Sequence, residues 1–225
     1  TGEINEGYRE KGFFPEAFIN FLVLLGWNPG TNQEVMSLDE MIQLFSLEKV
    51  HKAGARYDFE KAKWFNHQYL KAKGDDELAN IIKEQIVAKG YEFNFDYAKE
   101  FCRLMKERAI FTNDLLEMGY YFFEDIKVFD TETIKKKYNK ENRARFDSVI
   151  SIVESVADFK TAEIEKAVKD FAAVNSIKIG EIMPVLRLAL AGTMQGPPVF
   201  DMMNLLGKDR TVARLKKSFD YFDSI

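Results

Sequence analysis

Two arginines of this chain stand where an ordinary surface charge does not. Arg187 lies in the run MPVLRLALAG, between Val185, Leu186, Leu188 and Leu190. A cation among apolar neighbours needs a partner or a ligand, because a buried unpaired charge is costly. Arg108 ends a helical pattern just before the short loop Ala109 to Thr112. There its planar fork either reaches out to a base edge bidentately or satisfies the last carbonyls of its own helix. Gly196-Pro197-Pro198-Val199 opens a further helix. Its first backbone N–H groups either receive a phosphate or base edge or do nothing beyond starting the helix. Lys135, Lys136, Lys137, Lys140, Arg143 and Arg145 form a basic run, usually a solvated face but also suited to a phosphate backbone. Cations and hydrogen-bonding groups on a rigid scaffold are what RNA recognition requires.

Catalytic chemistry has far less to work with. The sequence contains no GxGxxG, GxxxxGK, HExxH or GxSxG pattern, and two histidines, His51 and His67, are too few for most acid–base schemes. Asp75 and Asp76 read as charges at a helix start, and Cys102 as a small buried side chain. A single cysteine forms no internal disulfide, and two histidines with one cysteine make no structural zinc site.

The elements that must hold the arginines are helices. All five prolines lie at positions 15, 29, 184, 197 and 198, leaving a long proline-free stretch rich in Lys, Glu, Ala, Leu and Ile. Pro15 at a first helical position and Gly26 past the end predict a helix over 15–25 with Phe18, Phe21, Leu22 and Leu25 on one face. Ser37 and Glu40 form a capping box for a helix over 38–45 that turns Met41, Leu44 and Phe45 inward. Asp58 caps a helix to about Lys71, and Trp27 and Trp64 are assigned to core packing. Further helices are expected over 77–89, 95–108, 114–123, 132–138, 141–157, 162–175, 180–191, 197–206 and 210–222, the last capped by Asp209. No strand is readable, and no repeat of fixed period appears. The fold class is all-α.

Charge is distributed unevenly. The net charge of −4 argues against a whole-surface polyanion binder. Residues 75–126 carry 6 basic against 12 acidic side chains, whereas residues 127–225 carry 17 against 14, so an electrostatic footprint is sought first in the last segment. No apolar run approaches the roughly 18 residues of a membrane span, and the N-terminus lacks a signal-peptide shape. A reducing, cytoplasmic protein is expected.

Three blocks then carry a family resemblance: GYREKGFFPEAFINFLVLLGW (Gly7 to Trp27), FSLEKVHKAGARYDFEKAKWFNHQYL (Phe45 to Leu70) and LRLALAGTMQGPPVFDMMNLLGKDRTVARL (Leu186 to Leu215). Together they resemble the C-terminal half of the bacterial glutamyl-tRNA synthetases. In that family a Rossmann-type class I catalytic domain with HIGH-like and KMSKS-like signatures precedes this region, and neither signature is present here. The resemblance implies a piece that keeps a helical stem-contact segment (residues 1–74) and an α-helical anticodon-binding domain in two bundles (75–126 and 127–225). Such a piece would not charge tRNA alone. The parent would attach glutamate to its tRNA, using ATP and Mg, as a monomer.

The resemblance also assigns residues. Arg108 in LMKER matches the family arginine that reads the third anticodon base, and Arg187 another anticodon-contacting arginine. Gly196, Pro197 and Val199 match the turn and helix start packed against the anticodon bases. Gly196 replaces a hydroxyl residue of some relatives, so only a backbone contact remains there. Lys169 falls where some relatives have an arginine, keeping the charge without the bidentate fork. Arg9, Lys11, Lys49, Lys52 and Arg56 are candidate phosphate contacts, although KVHKAGARYDF reads more readily as an internal packing element. The reading from a different class is a helical protein-interaction module that binds no RNA.

Overall fold

A computed structural model describes residues 7–52 and 54–225. Ala53 of the KVHKAGARYDF motif and the start of the expected segment 1–74 lie outside the described residues. The chain divides into two compact units, Thr1–Met118 and Gly119–Ile225. The junction expected at Gly74 falls inside the first unit, where Gly74 is the N-cap of a helix whose opening residues are Asp75, Asp76 and Glu77. Those three carboxylates sit at the positive end of the helix dipole.

In the first unit the helices are α1 (Pro15–Gly26), α2 (Leu38–Leu44), α3 (Phe59–Ala72), α4 (Asp75–Ala88), α5 (Phe95–Met105) and α6 (Thr112–Met118). Local chemistry sets their ends. Pro15 occupies the first turn of α1. Ser37 Oγ accepts from the Glu40 N–H at 3.2 Å while Glu40 accepts from the Ser37 N–H at 2.7 Å, completing the expected capping box. Asp58 accepts from the N–H groups of Glu60 and Lys61 to begin α3. The core joins α1 to α3 through Phe13, Phe21, Ala62 and Phe65, each large side chain contributing about 1.5–3 kcal/mol on burial. Trp27, Met36 and Met41 form a second cluster. Asn20 serves it from within: its Oδ1 accepts from the Met36 N–H at 2.9 Å and the Tyr69 hydroxyl at 3.0 Å.

Four expected orientations are overturned. Leu44 and Phe45 are 38% and 47% exposed and Leu22 is 44% exposed, so α2 sends only Met41 inward. A seven-residue helix against one small cluster buries a narrow stripe, not the broad face of a bundle helix. Trp64 is 40% exposed, its ring edge-on to buried Phe65 at 4.9 Å. Trp27 is buried as expected.

In the second unit a 3-10 turn at Tyr120–Phe122 precedes α7 (Thr131–Lys137), α8 (Arg143–Ser155), α9 (Thr161–Val174), α10 (Ile179–Ala191), α11 (Val199–Leu206) and α12 (Lys208–Phe222). α10 is buried on nearly every side, which explains its apolar sequence. α12 crosses it and donates polar anchors: Arg214 binds the carbonyls of Tyr121, Leu190 and Glu124, and Ser218 that of Ala189. Gly192 ends α10 at φ +75, where a Cβ would meet the Val128 carbonyl at 2.4 Å. Pro197 and Asp209 do not act as expected: α11 begins at Val199, and α12 begins at Lys208 with Gly207 as its N-cap. The described residues contain no strand, only an isolated antiparallel bridge between Trp27 and Val50.

Candidate functional site

Arg108 follows α5 on a turn held by hydrogen bonds from α3 and α6. From α3, Asn66 Nδ2 donates to the Ile110 carbonyl at 2.6 Å, and its Oδ1 accepts from the Phe14 N–H at 2.8 Å. The next residue, His67, places Nδ1 2.7 Å from the Ala109 carbonyl. A carbonyl only accepts, so Nδ1 carries the proton and Nε2 faces away. From α6, Asp114 Oδ2 accepts from the N–H groups of both Ile110 and Phe111 at 2.8 Å. Residues 109–111 are thus clamped from two helices, which fixes where the Arg108 side chain starts.

The guanidinium itself spends one N–H: Nη1 donates to the Leu104 carbonyl at 3.1 Å. Both alternatives raised by the sequence are therefore partly realised, since one donor caps α5 and the rest of the fork remains on a half-buried side chain. That fork lines an open groove of about 350 Å³ with Trp64, His67, Ile110, Glu60 and Glu107. The two carboxylates are neutralised locally, Glu60 by Lys63 at 2.9 Å and Glu107 by Lys71 at 2.8 Å. The hydrogen bond from Lys71 holds the Glu107 carboxyl below its ordinary range. The groove thus combines a cationic fork, an imidazole and an exposed indole face. Sequence reasoning missed Trp64, His67 and Asn66 as parts of this place. The available signal was their spacing on α3 opposite the loop after Arg108, which becomes readable only once α3 and that loop are known to touch.

Arg187 finds its partner inside the second unit. Its Nη1 donates to the carbonyls of Gly196 at 2.9 Å and Pro197 at 2.6 Å. Three of the residues singled out in the sequence therefore meet, with the arginine holding the turn that leads into α11. Gly196 adopts φ +141, and a Cβ there would lie 2.8 Å from Tyr121 Oη, so the turn requires glycine. Pro197 and Val199 point inward, Val199 being 1% exposed, and Pro198 is the exposed side chain of the turn. Whatever approaches this turn meets backbone and the Pro198 ring.

The remaining candidates are dispersed. Lys169 lies on the exposed side of α9, paired with Glu165 at 2.5 Å. Arg9, Lys11, Lys49, Lys52 and Arg56 are all exposed. Lys11 sits over the Phe59 ring at 5.3 Å, and Lys49 Nζ donates to the Pro29 carbonyl at 2.8 Å. The packing expectation for KVHKAGARYDF is overturned: His51, Lys52, Gly54, Ala55 and Arg56 are exposed, and Tyr57 is anchored by its ring against Phe21 at 5.3 Å. The basic run divides. Arg143 is held by Asp147, Asp220 and Asp223, and Arg145 by Glu181. Lys135, Lys136 and Lys137 stay exposed at the C-terminal end of α7. Burial pushes the Cys102 thiol up to about 12, so it stays protonated and inert at neutral pH. Among the described residues no group of His, Cys, Asp and Glu could hold a metal ion, and no helix is long and apolar enough to cross a membrane.

Comparison with known proteins fits this geometry. The family model described as an anticodon binding domain matches residues 61–219. The model described as the catalytic domain of class I tRNA synthetases (E and Q) matches residues 3–64. The glutamate–tRNA ligase of Flavobacterium johnsoniae is 42% identical over 215 residues, 96% of this chain and 43% of that protein. The one from Porphyromonas gingivalis strain W83 is 40% identical over 220 residues, 98% of this chain and 44% of its own length. A solved glutamate tRNA ligase from Elizabethkingia meningosepticum, in complex with its amino acid, superposes with a TM-score of 0.91 at 39% identity, covering 98% of this chain and 44% of that one. This chain thus spans less than half the length of the relatives it matches. With the anticodon-binding model covering most of it, the chain belongs to the anticodon binding domain family, and it is similar to the glutamate–tRNA ligases.

Proposed function

We propose that this chain reads the anticodon of a glutamate tRNA on behalf of a glutamate–tRNA ligase, the rest of whose catalytic part lies outside residues 1–225. The observation that carries this reading is the clamped Arg108 fork beside an exposed indole. A loose surface arginine would lose its binding energy to ordering, whereas one whose backbone is fixed from two helices is already placed for a bidentate contact. Arg108 would hydrogen-bond the third anticodon base, with the Trp64 face available for stacking. A bidentate contact of this kind discriminates by about 1–3 kcal/mol, by analogy with base readout in DNA.

Arg187 would act through the Gly196–Val199 turn, presenting its backbone and Pro198 to a neighbouring base. Lys169 and the exposed cations Arg9, Lys11, Lys52 and Arg56 would neutralise phosphates, whereas Lys49 is held by the Pro29 carbonyl. The parent would activate glutamate with ATP and Mg and transfer it to the terminal ribose. Those cofactors would be bound by the rest of the catalytic part. The protein would work in the cytoplasm as a monomer.

The test is binding of this chain to a glutamate tRNA transcript and to one with the third anticodon base changed, across a salt series. Preference for the native transcript that disappears in Arg108→Ala supports the reading. Equal binding of both transcripts by the unaltered chain removes Arg108 as the reader. Binding that ignores salt and anticodon alike would favour a protein-interaction module.

A further inference from the structure

Large apolar side chains left in solvent are unevenly placed. Among the described residues, twelve of the twenty lie between Tyr8 and Trp64, about a quarter of the chain. The densest run is α2 and the single 3-10 turn after it, Leu47–Lys49. Leu38 and Ile42 stand at i and i+4 on one side of α2, and Phe45 follows as its extended C-cap. They are 50%, 66% and 47% exposed, and Leu47 beyond them is 77% exposed.

Such a run is unfavourable in water, since apolar surface left exposed forgoes the gain of burial. It is also well anchored. The capping box fixes the start of α2, Met41 pins its inner side, and the Phe45 ring lies 5.8 Å from that of buried Trp27. A rigid apolar face of this kind marks an interface rather than a fraying end.

The chemistry of the face selects its occupant. Its nearby cation, Lys49, is committed to the Pro29 carbonyl, and Asp39, Glu40 and Glu48 flank it, so a phosphate backbone is repelled. The stretch that carries the face matches the catalytic-domain model of the class I synthetases, and relatives are more than twice as long as this chain. We propose that Leu38, Ile42, Phe45 and Leu47 form the seat on which the remainder of the catalytic part of the same polypeptide packs. This rests on the reading above, that the chain is joined to such a part in its parent. The seat and the Arg108 groove then belong to one compact unit, so docking at one end of it would fix the catalytic part against the element that carries the anticodon reader.

Carbene footprinting of the full-length protein that carries this segment, beside the 225-residue chain alone, tests it. Ile42 and Leu47 should label strongly in the chain alone and lose most of that labelling in the full-length protein, while Val174, 84% exposed on α9, labels equally in both. Equal labelling of Ile42 and Leu47 in the two proteins overturns the proposal. Protection already present in the chain alone, and growing with its concentration, overturns it in favour of a second copy. Glutamate charging by the full-length protein is scored separately: its absence would defeat the functional reading, whereas active protein with a labelled seat defeats this inference alone.

Discussion

Nδ1 of His67 lies 2.7 Å from the carbonyl oxygen of Ala109, the residue that follows Arg108. Together with the bond from Asn66 to the Ile110 carbonyl, it makes the middle of α3 a brace for the loop that follows Arg108. The two braces differ in burial, and that separates their expected effects.

Asn66 is fully buried, so Asn66→Ala leaves the Phe14 N–H and the Ile110 carbonyl unpaired. The cost is about 1–3 kcal/mol for each group so stranded. Urea unfolding of the variant should show a large drop in stability. His67 is half-buried, and His67→Leu should unfold close to the parent while losing part of its preference for the native anticodon. Full preference in His67→Leu would show that Asn66 and Asp114 hold the loop without it.

The second unit offers a test of geometry. Gly196 at φ +141 faces Tyr121 Oη, so Gly196→Ala meets both backbone strain, about 1–3 kcal/mol, and a steric clash. Its melting temperature should fall. Adding Tyr121→Phe removes the oxygen that a Cβ would strike, so the double variant should be more stable than the sum of the two single effects. Simple additivity, measured as a double-mutant cycle, would mean that strain alone accounts for the glycine.

Much of this architecture is legible in the sequence because helix ends are local chemistry. Pro15, the Ser37–Glu40 box and Asp58 each act within a few residues of themselves, and the structure uses all of them as read. Facing is a different matter. Leu44, Phe45 and Trp64 are apolar residues on amphipathic helices, and periodicity assigns them to the core. Which apolar side of a short helix turns inward depends on the neighbour it meets, here the small cluster of Trp27 and Met36 with Val23 and Leu24 beside it for α2. Arg187 was readable as a cation that needs a partner, yet its partners are backbone carbonyls nine and ten residues away, and no residue type signals those.

The end of α12 carries a pH-dependent contact. Burial works to raise the Asp223 carboxyl, but hydrogen bonds from Tyr138 at 2.7 Å and Arg143 at 2.5 Å outweigh it and hold the group below its ordinary value. A carboxylate whose folded value lies below its unfolded one, about 3.9, favours the folded state at higher pH. That contribution is fully present above the ordinary carboxylate range and is lost as pH falls through the depressed folded value. Between pH 6 and pH 2, Asp223→Asn should therefore lose less stability than the parent chain, the gap between the two closing at the acid end. Parallel curves, followed by thermal melts at each pH, would show that the network contributes nothing through Asp223.

Trp64 and Trp27 are the only two tryptophans, and they occupy opposite environments at 40% and 2% exposure. Trp27→Ala removes a core ring and should cost about 3–5 kcal/mol. Trp64→Ala takes away a ring that already meets water and should cost far less stability. If its face receives a base, the same change should weaken tRNA binding by about 1–3 kcal/mol, the usual worth of one stacked base. Fluorescence makes the distinction direct. In Trp27→Phe the emission comes from Trp64 alone, and iodide should quench it readily in the free chain. Saturating glutamate tRNA should shield it, and a transcript with an altered third anticodon base should shield it less. Quenching that tRNA leaves unchanged would place the bound RNA away from the groove, leaving Arg108 to act without a stacking platform beside it.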